Sequence, residues 1–204
     1  MQKVQGSLGI SRRRLSTNVM VKVSILSVMG FLLMAMDFPL PIFPGFLKID
    51  LSDVPALVGA FALGPVAGAM IQGIKVFLHF ITKTSTGGVG ELANFIIGAA
   101  YVVPAAIIYH RKKDRTHALI GTLVGTIAMT LMGILANLYL LIPFYSNFMP
   151  IEGIIAMGSA VNRHIVDLPT LVIYGVTPFN LFKGALIALV TLGIYKRLSP
   201  LLKR

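Results

Sequence analysis

The chain has 204 residues, 56% of them hydrophobic and 12% charged, with a mean hydropathy of +0.85. A water-soluble domain needs roughly 25% charged residues to solvate its surface, so composition argues against a soluble fold. The length suits one helical membrane bundle rather than two domains. A formal net charge of +11 then reads as a set of orientation signals rather than nucleic-acid affinity, and the lack of cysteine excludes disulfides and thiolate metal sites.

Residues 1–18 read as a polar cytoplasmic tail carrying Lys3 and Arg12-Arg13-Arg14. The apolar run 19–36 is longer than the core of a secretory signal and no small-x-small cleavage site follows it, so it is expected to be the first membrane helix. The next stretch, Asp37 to Ser52, carries Pro39, Pro41, Pro44 and Gly45 and predicts a stiff, non-helical loop. Two apolar elements follow, 53–63 and 65–81, broken at Gly64-Pro65 because the residue before a proline is disfavoured in helix. Thr82 to Gly88 is rich in Thr, Ser and Gly and predicts a mobile connection. Apolar stretches 90–109 and 117–143 are joined by a basic turn. A long loop is expected over Phe144 to Asp167, then a last apolar stretch, 168–195. The membrane domain is thus 19–197, with 198–204 a second cytoplasmic tail.

Charge settles how often 53–81 crosses. Twelve of the 18 Lys and Arg fall in three clusters, at 3–14, 111–115 and 196–204. The positive-inside rule places all three on the cytoplasmic side, which requires an even number of crossings between the first two. The 53–81 stretch must then cross twice. The acidic residues agree, since only Asp114 falls inside while Asp37, Asp50, Asp53, Glu91, Glu152 and Asp167 fall at or near the outer face. The predicted fold is all-α: a compact bundle of six transmembrane helices with both termini cytoplasmic. Longer outer loops over tight inner turns suggest a ligand that arrives from outside.

An ionisable side chain near mid-helix costs about 2.5–3.5 kcal/mol on insertion scales, so such residues face a cavity or a partner. Lys183 lies mid-way along the last helix with Asn180 one turn before it, and two donor-rich groups on one face point to a polar cavity. Asn137, next to Tyr139, reads as interhelical glue or a ligand contact. Lys75 either pairs with a carboxylate or lies against a partner protein, and His79, one turn on, lacks the second His or Cys a metal site needs. Nearer the outer surface, Glu91 and Asn94 share a helix face, Glu91 either complementing the helix dipole or touching a ligand. Lys48 and Asp50 lie in the first loop.

Catalysis has little support: there is no H-E-x-x-H, no G-x-S-x-G elbow and no close carboxylate pair suited to acid–base work, so no catalytic residue, metal ligand or cofactor is expected. No G-x-x-x-x-G-K-[ST] loop is present either, so ATP-driven transport needs another subunit. Sparse carboxylates and the lack of an evident inverted repeat weigh against a stand-alone secondary carrier.

Residues 38–65, from Phe38-Pro39-Leu40-Pro41 through Asp50-Leu51-Ser52-Asp53-Val54-Pro55 to Gly64-Pro65, resemble the first loop and second helix of S components of energy-coupling factor (ECF) transporters. Gly90-Glu91-Leu92-Ala93-Asn94-Phe95, Ala136-Asn137 and Thr177-Pro178-Phe179-Asn180-Leu181-Phe182-Lys183-Gly184 resemble the riboflavin-specific, RibU-type members. The resemblance implies a bacterial, multi-pass plasma-membrane subunit that binds riboflavin at the outer face beneath the first loop. It also implies a transmembrane coupling subunit and two ATPase subunits as partners. Asn137, Asn180 and Lys183 would hold the vitamin, with Lys48, Asp50, Glu91 and Asn94 as further contacts. Phe38, Phe43, Phe46, Tyr101 and Tyr139 are available to pack on its ring. An S component for another vitamin shares the fold. The Ala-x-x-x-Ala pattern by which many S components dock the coupling subunit is not intact in the first helix. Ser24, Ser27 and Gly30 form a small-residue stripe suited to close approach, either to that subunit or within the bundle.

Overall fold

A computed structural model describes residues 16–203, with side chains as far as Tyr195. Lys3, Arg12 to Arg14 and Arg204 lie outside the described residues, as do the side chains of Lys196, Arg197 and Lys203. The chain is built from α1 (Thr17–Met34), α2 (Asp53–Leu63), α3 (Pro65–Lys83), α4 (Val89–Arg111) and α5 (Arg115–Ala136), then α6 (Ile142–Tyr145), α7 (Ile151–Ser159), α8 (Leu168–Leu171) and α9 (Thr177–Lys203). Among the described residues, five helical rods are long and apolar enough to cross a membrane: α1, α3, α4, the rod Arg115–Tyr145 and the rod Leu168–Tyr195. α9 continues to Lys203, so most of the segment expected as a carboxy-terminal tail is helical.

The expected break at Gly64-Pro65 is present. Gly64 adopts φ 109°, a conformation that side-chain-bearing residues rarely take, and Pro65 opens α3 with its φ already set for helix. With 11 residues, α2 is about 16 Å long, well short of a ~30 Å hydrocarbon core. Its surroundings explain how so short an apolar helix is accommodated. Ala56, Leu57, Ala60 and Phe61 are completely buried, and α1, α3, α4 and α9 pack around them. At its far end Phe61 meets the rings of Tyr109 and Tyr195, whose hydroxyls are 3.0 Å apart.

α4 and α5 share the most extensive helix–helix contact. A methyl group on Gly121 or Gly125 would come within 2.6 Å of the Ala105 or Tyr101 carbonyl oxygen, so only glycine allows the two backbones this approach.

Two rods are interrupted by single wide, π-helical turns, at Asn137–Leu141 and Val172–Val176. Each precedes a proline, Pro143 and Pro178. A proline donates no N–H and its ring clashes with the carbonyl four residues back, here Tyr139 and Tyr174, which lie inside the two wide turns. The second turn is secured by Thr177, whose hydroxyl donates to the Val172 carbonyl at 2.9 Å.

Outside the rods, the first loop forms a small antiparallel hairpin, Phe38–Pro39 (β1) against Lys48–Ile49 (β2), with Phe38 opposite Ile49. The expected long loop over Phe144 to Asp167 is corrected in part: Ile151–Ser159 is helical. Ile154 from this helix is buried against Ile142, Ile165 and Leu171, an apolar contact that the scattered polar residues of the segment obscure.

Candidate functional site

The hairpin loop is fastened to α9 by side chains. Phe43, Leu47 and Ile49 bury against Val176 and Phe179, with the Phe43 and Phe179 rings edge to face at 5.3 Å. Beyond the hairpin, Asp50 turns back into the protein. Its Oδ1 accepts the Ser52 backbone N–H at 2.8 Å and its Oδ2 lies 2.9 Å from Lys183 Nζ. Three residues on, Asp53 opens α2 and meets both buried lysines: Oδ1 is 2.5 Å from Lys75 Nζ and Oδ2 is 3.7 Å from Lys183 Nζ. Gln72 donates to Asp53 Oδ1 at 2.7 Å, and Lys75 donates to Ser52 Oγ at 2.6 Å. Lys75 and Lys183 are 0% and 6% exposed. Two carboxylates and two ammonium groups thus balance where neither sign would be tolerated alone.

Of the two readings of Lys75, pairing with a carboxylate is the one the structure has. Asp50 and Asp53 meet on one lysine, but they are not a pair of the kind acid–base catalysis uses. Each is neutralised by an ammonium group rather than by a shared proton, which suits fastening better than acid–base exchange.

Beside this network, a cavity of about 200 Å³ opens at the end of the bundle that carries the 37–52 and 84–88 loops. All seven candidate binding residues line it: Lys48, Asp50, Glu91, Asn94, Asn137, Asn180 and Lys183. Asn137 stands on the first wide turn and is 2% exposed. Its amide donates to Gly133 O in its own helix at 2.8 Å, while its Oδ1 is buried without a hydrogen-bond partner. Asn94 Oδ1 is buried and unpartnered as well. Asn180, one turn past the second wide turn, donates to Val176 O at 2.9 Å. Glu91 sits in the first turn of α4, its carboxylate held by His79 Nδ1 at 3.0 Å and the Thr86 hydroxyl at 2.9 Å. Thr86 also accepts the Gly90 N–H, so the 84–88 connection, expected to be mobile, is tied to the residue it delivers. At the rim, Lys48 reaches back to Asp37 at 3.2 Å.

The apolar wall comes from Phe46, Ile97, Met129, Leu141, Tyr145 and Phe179. Among the aromatic residues suggested by sequence, only Phe46 lies on it. Phe43 belongs to the loop's own contact with α9, Tyr101 is fully buried and donates to Gly184 O, and Phe38 and Tyr139 point outward at 55% and 74% exposure. Met129, Tyr145 and Phe179 escaped notice because an apolar residue in an apolar helix carries no mark of the face it will present. Thr86 lay in a stretch with the composition of an ordinary linker.

With three neutral amides, charged groups largely paired with one another, two unmet acceptors and an apolar wall, the site suits an organic ligand bearing hydroxyl or N–H groups. The comparisons agree with a binding role. Residues 18–195 match the family model for the ECF transporter substrate-specific component. The riboflavin transporter FmnP of Bacillus subtilis (strain 168) is 37% identical over 183 residues, 89% of this chain and 92% of its own length. The riboflavin transporter RibU of Staphylococcus aureus (strain TCH60) is 32% identical over 185 residues, 91% and 92% of the two chains. A solved S component of a bacterial ECF transporter superposes with a TM-score of 0.71 at 32% identity, covering 91% of this chain and 98% of the other. A bundle in which a hairpin loop closes over an amide-lined cavity, with matches across nearly its whole length, places this chain in the family of substrate-specific components of ECF transporters.

Proposed function

We propose that this chain captures riboflavin at the outer face of the bacterial plasma membrane and delivers it inward with an ATP-driven coupling module. The carrying observation is the pair of buried, unpartnered acceptors, Asn94 Oδ1 and Asn137 Oδ1, on two residues that line one cavity with an apolar wall. An unmet buried acceptor costs roughly 1–3 kcal/mol, which a ligand donor restores. Riboflavin has an imide N–H, a chain of hydroxyl groups and a planar ring whose faces are largely apolar, so its chemistry complements both parts of the wall. The names of the two relatives point the same way.

Six crossings with both ends in the cytoplasm remain the best account of the charge pattern. α4 carries Glu91 near one end and Arg111 at the other, about 30 Å apart at 1.5 Å per residue. The cavity and the basic 111–115 turn therefore belong to opposite ends of the bundle, which supports an outward-facing site. The chain contains no phosphate-binding loop, so a coupling subunit and ATPase subunits supply the energy. A cavity of about 200 Å³ is smaller than the ~300–1,000 Å³ usual for organic ligands, so the hairpin loop swings outward to admit the vitamin and closes behind it.

Protein expressed in riboflavin-containing medium and purified in mild detergent should carry a flavin absorbance spectrum, and heating should release riboflavin in near-equimolar amount. A colourless preparation that takes up none on incubation with the vitamin would overturn the reading.

A further inference from the structure

Away from the cavity, a second and larger concavity of about 1,040 Å³ runs between α5 and α9 and ends at the basic α4–α5 connection. Its sides are Leu119, Leu123, Leu189 and Leu192, and Leu123 and Leu189 are 62% and 73% exposed. Gly193 lies on it, and a side-chain carbon there would meet nothing within 4 Å. An open trough lined mainly by apolar residues, leucine and alanine foremost, matches an acyl chain better than a polar solute.

The charge at the mouth is not neutralised by any of the described residues. Lys113, Asp114 and Arg115 line that end. Asp114 is committed elsewhere, 2.8 Å from His117 Nδ1 and 3.8 Å from Lys112 Nζ, while it also caps the His117 N–H. Among the described residues, Lys113 and Arg115 have no ion-pair partner, and both are exposed. An apolar trough that ends at two cations without an ion-pair partner among the described residues has the polarity of a phospholipid with an anionic headgroup.

We propose that the α5–α9 groove is a binding site for an anionic phospholipid, its acyl chain lying along Leu119, Leu123 and Leu189 over Gly193 and its phosphate held by Lys113 and Arg115. Arg offers a bidentate fork to phosphate oxygens and Lys a point charge. The site is independent of the vitamin cavity, and its proof or failure leaves the riboflavin reading untouched.

The test is native mass spectrometry of the full chain in mild detergent, titrated with phosphatidylglycerol or phosphatidylcholine of identical acyl chains. Wild type should retain phosphatidylglycerol about tenfold better. K113Q/R115Q should abolish that preference, and G193L, which fills the trough, should reduce retention of both lipids. One variant removes the charge and the other fills the apolar floor beside it, and circular dichroism establishes that each variant is folded. A photoreactive residue at position 189 should cross-link to lipid in membranes. Equal retention of the two lipids by wild type, folded variants that bind as wild type does, or cross-links from position 189 solely to another polypeptide would each overturn the assignment.

Discussion

Lys183 and Asn137 line one cavity but differ in what their removal should do. Lys183 is 2.9 Å from Asp50 of the hairpin loop, so K183M strands a buried carboxylate and releases the loop from α9. Breaking a buried pair by removing one partner costs about 3–5 kcal/mol, so riboflavin affinity and thermal midpoint should fall together. N137A takes away an acceptor that nothing in the protein uses and one hydrogen bond within its own helix, and the prediction is a roughly tenfold weaker Kd, about 1.4 kcal/mol, with a much smaller fall in midpoint than K183M shows. Fluorescence titrations and melts of both variants check the contrast; a stability loss in N137A equal to that in K183M would contradict it. At this scale sequence was informative where a residue was costly in its context. Asn137, Asn180 and Lys183 stand out because a polar group in an apolar helix needs a reason. The partner was not legible: Asp50 and Lys183 are 133 residues apart, and no local pattern links them.

Among the elements, the α2–α3 corner and the start of α5 make the sharpest predictions. G64A forces a side chain onto φ 109° and should cost about 1–3 kcal/mol, seen as a lower melting midpoint. G45A, in an exposed turn where a new methyl group meets nothing within 4 Å, is the control that should melt as wild type. Asp114 caps α5, and the hydrogen bond from the His117 N–H, with a second from its ring, holds the carboxyl below the usual carboxylate range. A depressed carboxyl contributes stability above its unfolded-state pKa and loses it as pH falls through the folded-state pKa. Wild type should therefore outlast D114N at neutral pH, and the difference in melting midpoint should vanish as the pH drops below the carboxylate range. A constant difference from pH 7 to pH 3 would remove Asp114 from that role. The Gly64-Pro65 break could be read from sequence because both residues act on their own backbone. The wide turns before Pro143 and Pro178 could not, since Pro104 sits inside α4 without one. Whether a helix widens or merely bends at a proline depends on what packs around it.

For the molecule as a whole, hydropathy and charge gave the helical rods to within a few residues, because burial in lipid demands long apolar runs whatever the tertiary packing. The same logic could not show that α2 is enclosed by four neighbours, which is a property of packing rather than of one segment. Topology can be checked directly, since the native chain has no cysteine to remove. A single cysteine at Ser85 should react with an impermeant maleimide from outside intact cells, and one at Thr116 should react only after lysis; the reverse pattern would invert the bundle. The central claim, that the cavity under the hairpin loop binds riboflavin, is tested most directly by titrating riboflavin into ligand-free purified protein and following flavin fluorescence. Capture of a scarce vitamin calls for a dissociation constant near nanomolar, roughly −12 kcal/mol, and hence near-stoichiometric quenching by wild type at nanomolar concentrations. Flavin fluorescence that stays unquenched with micromolar folded protein present would contradict it.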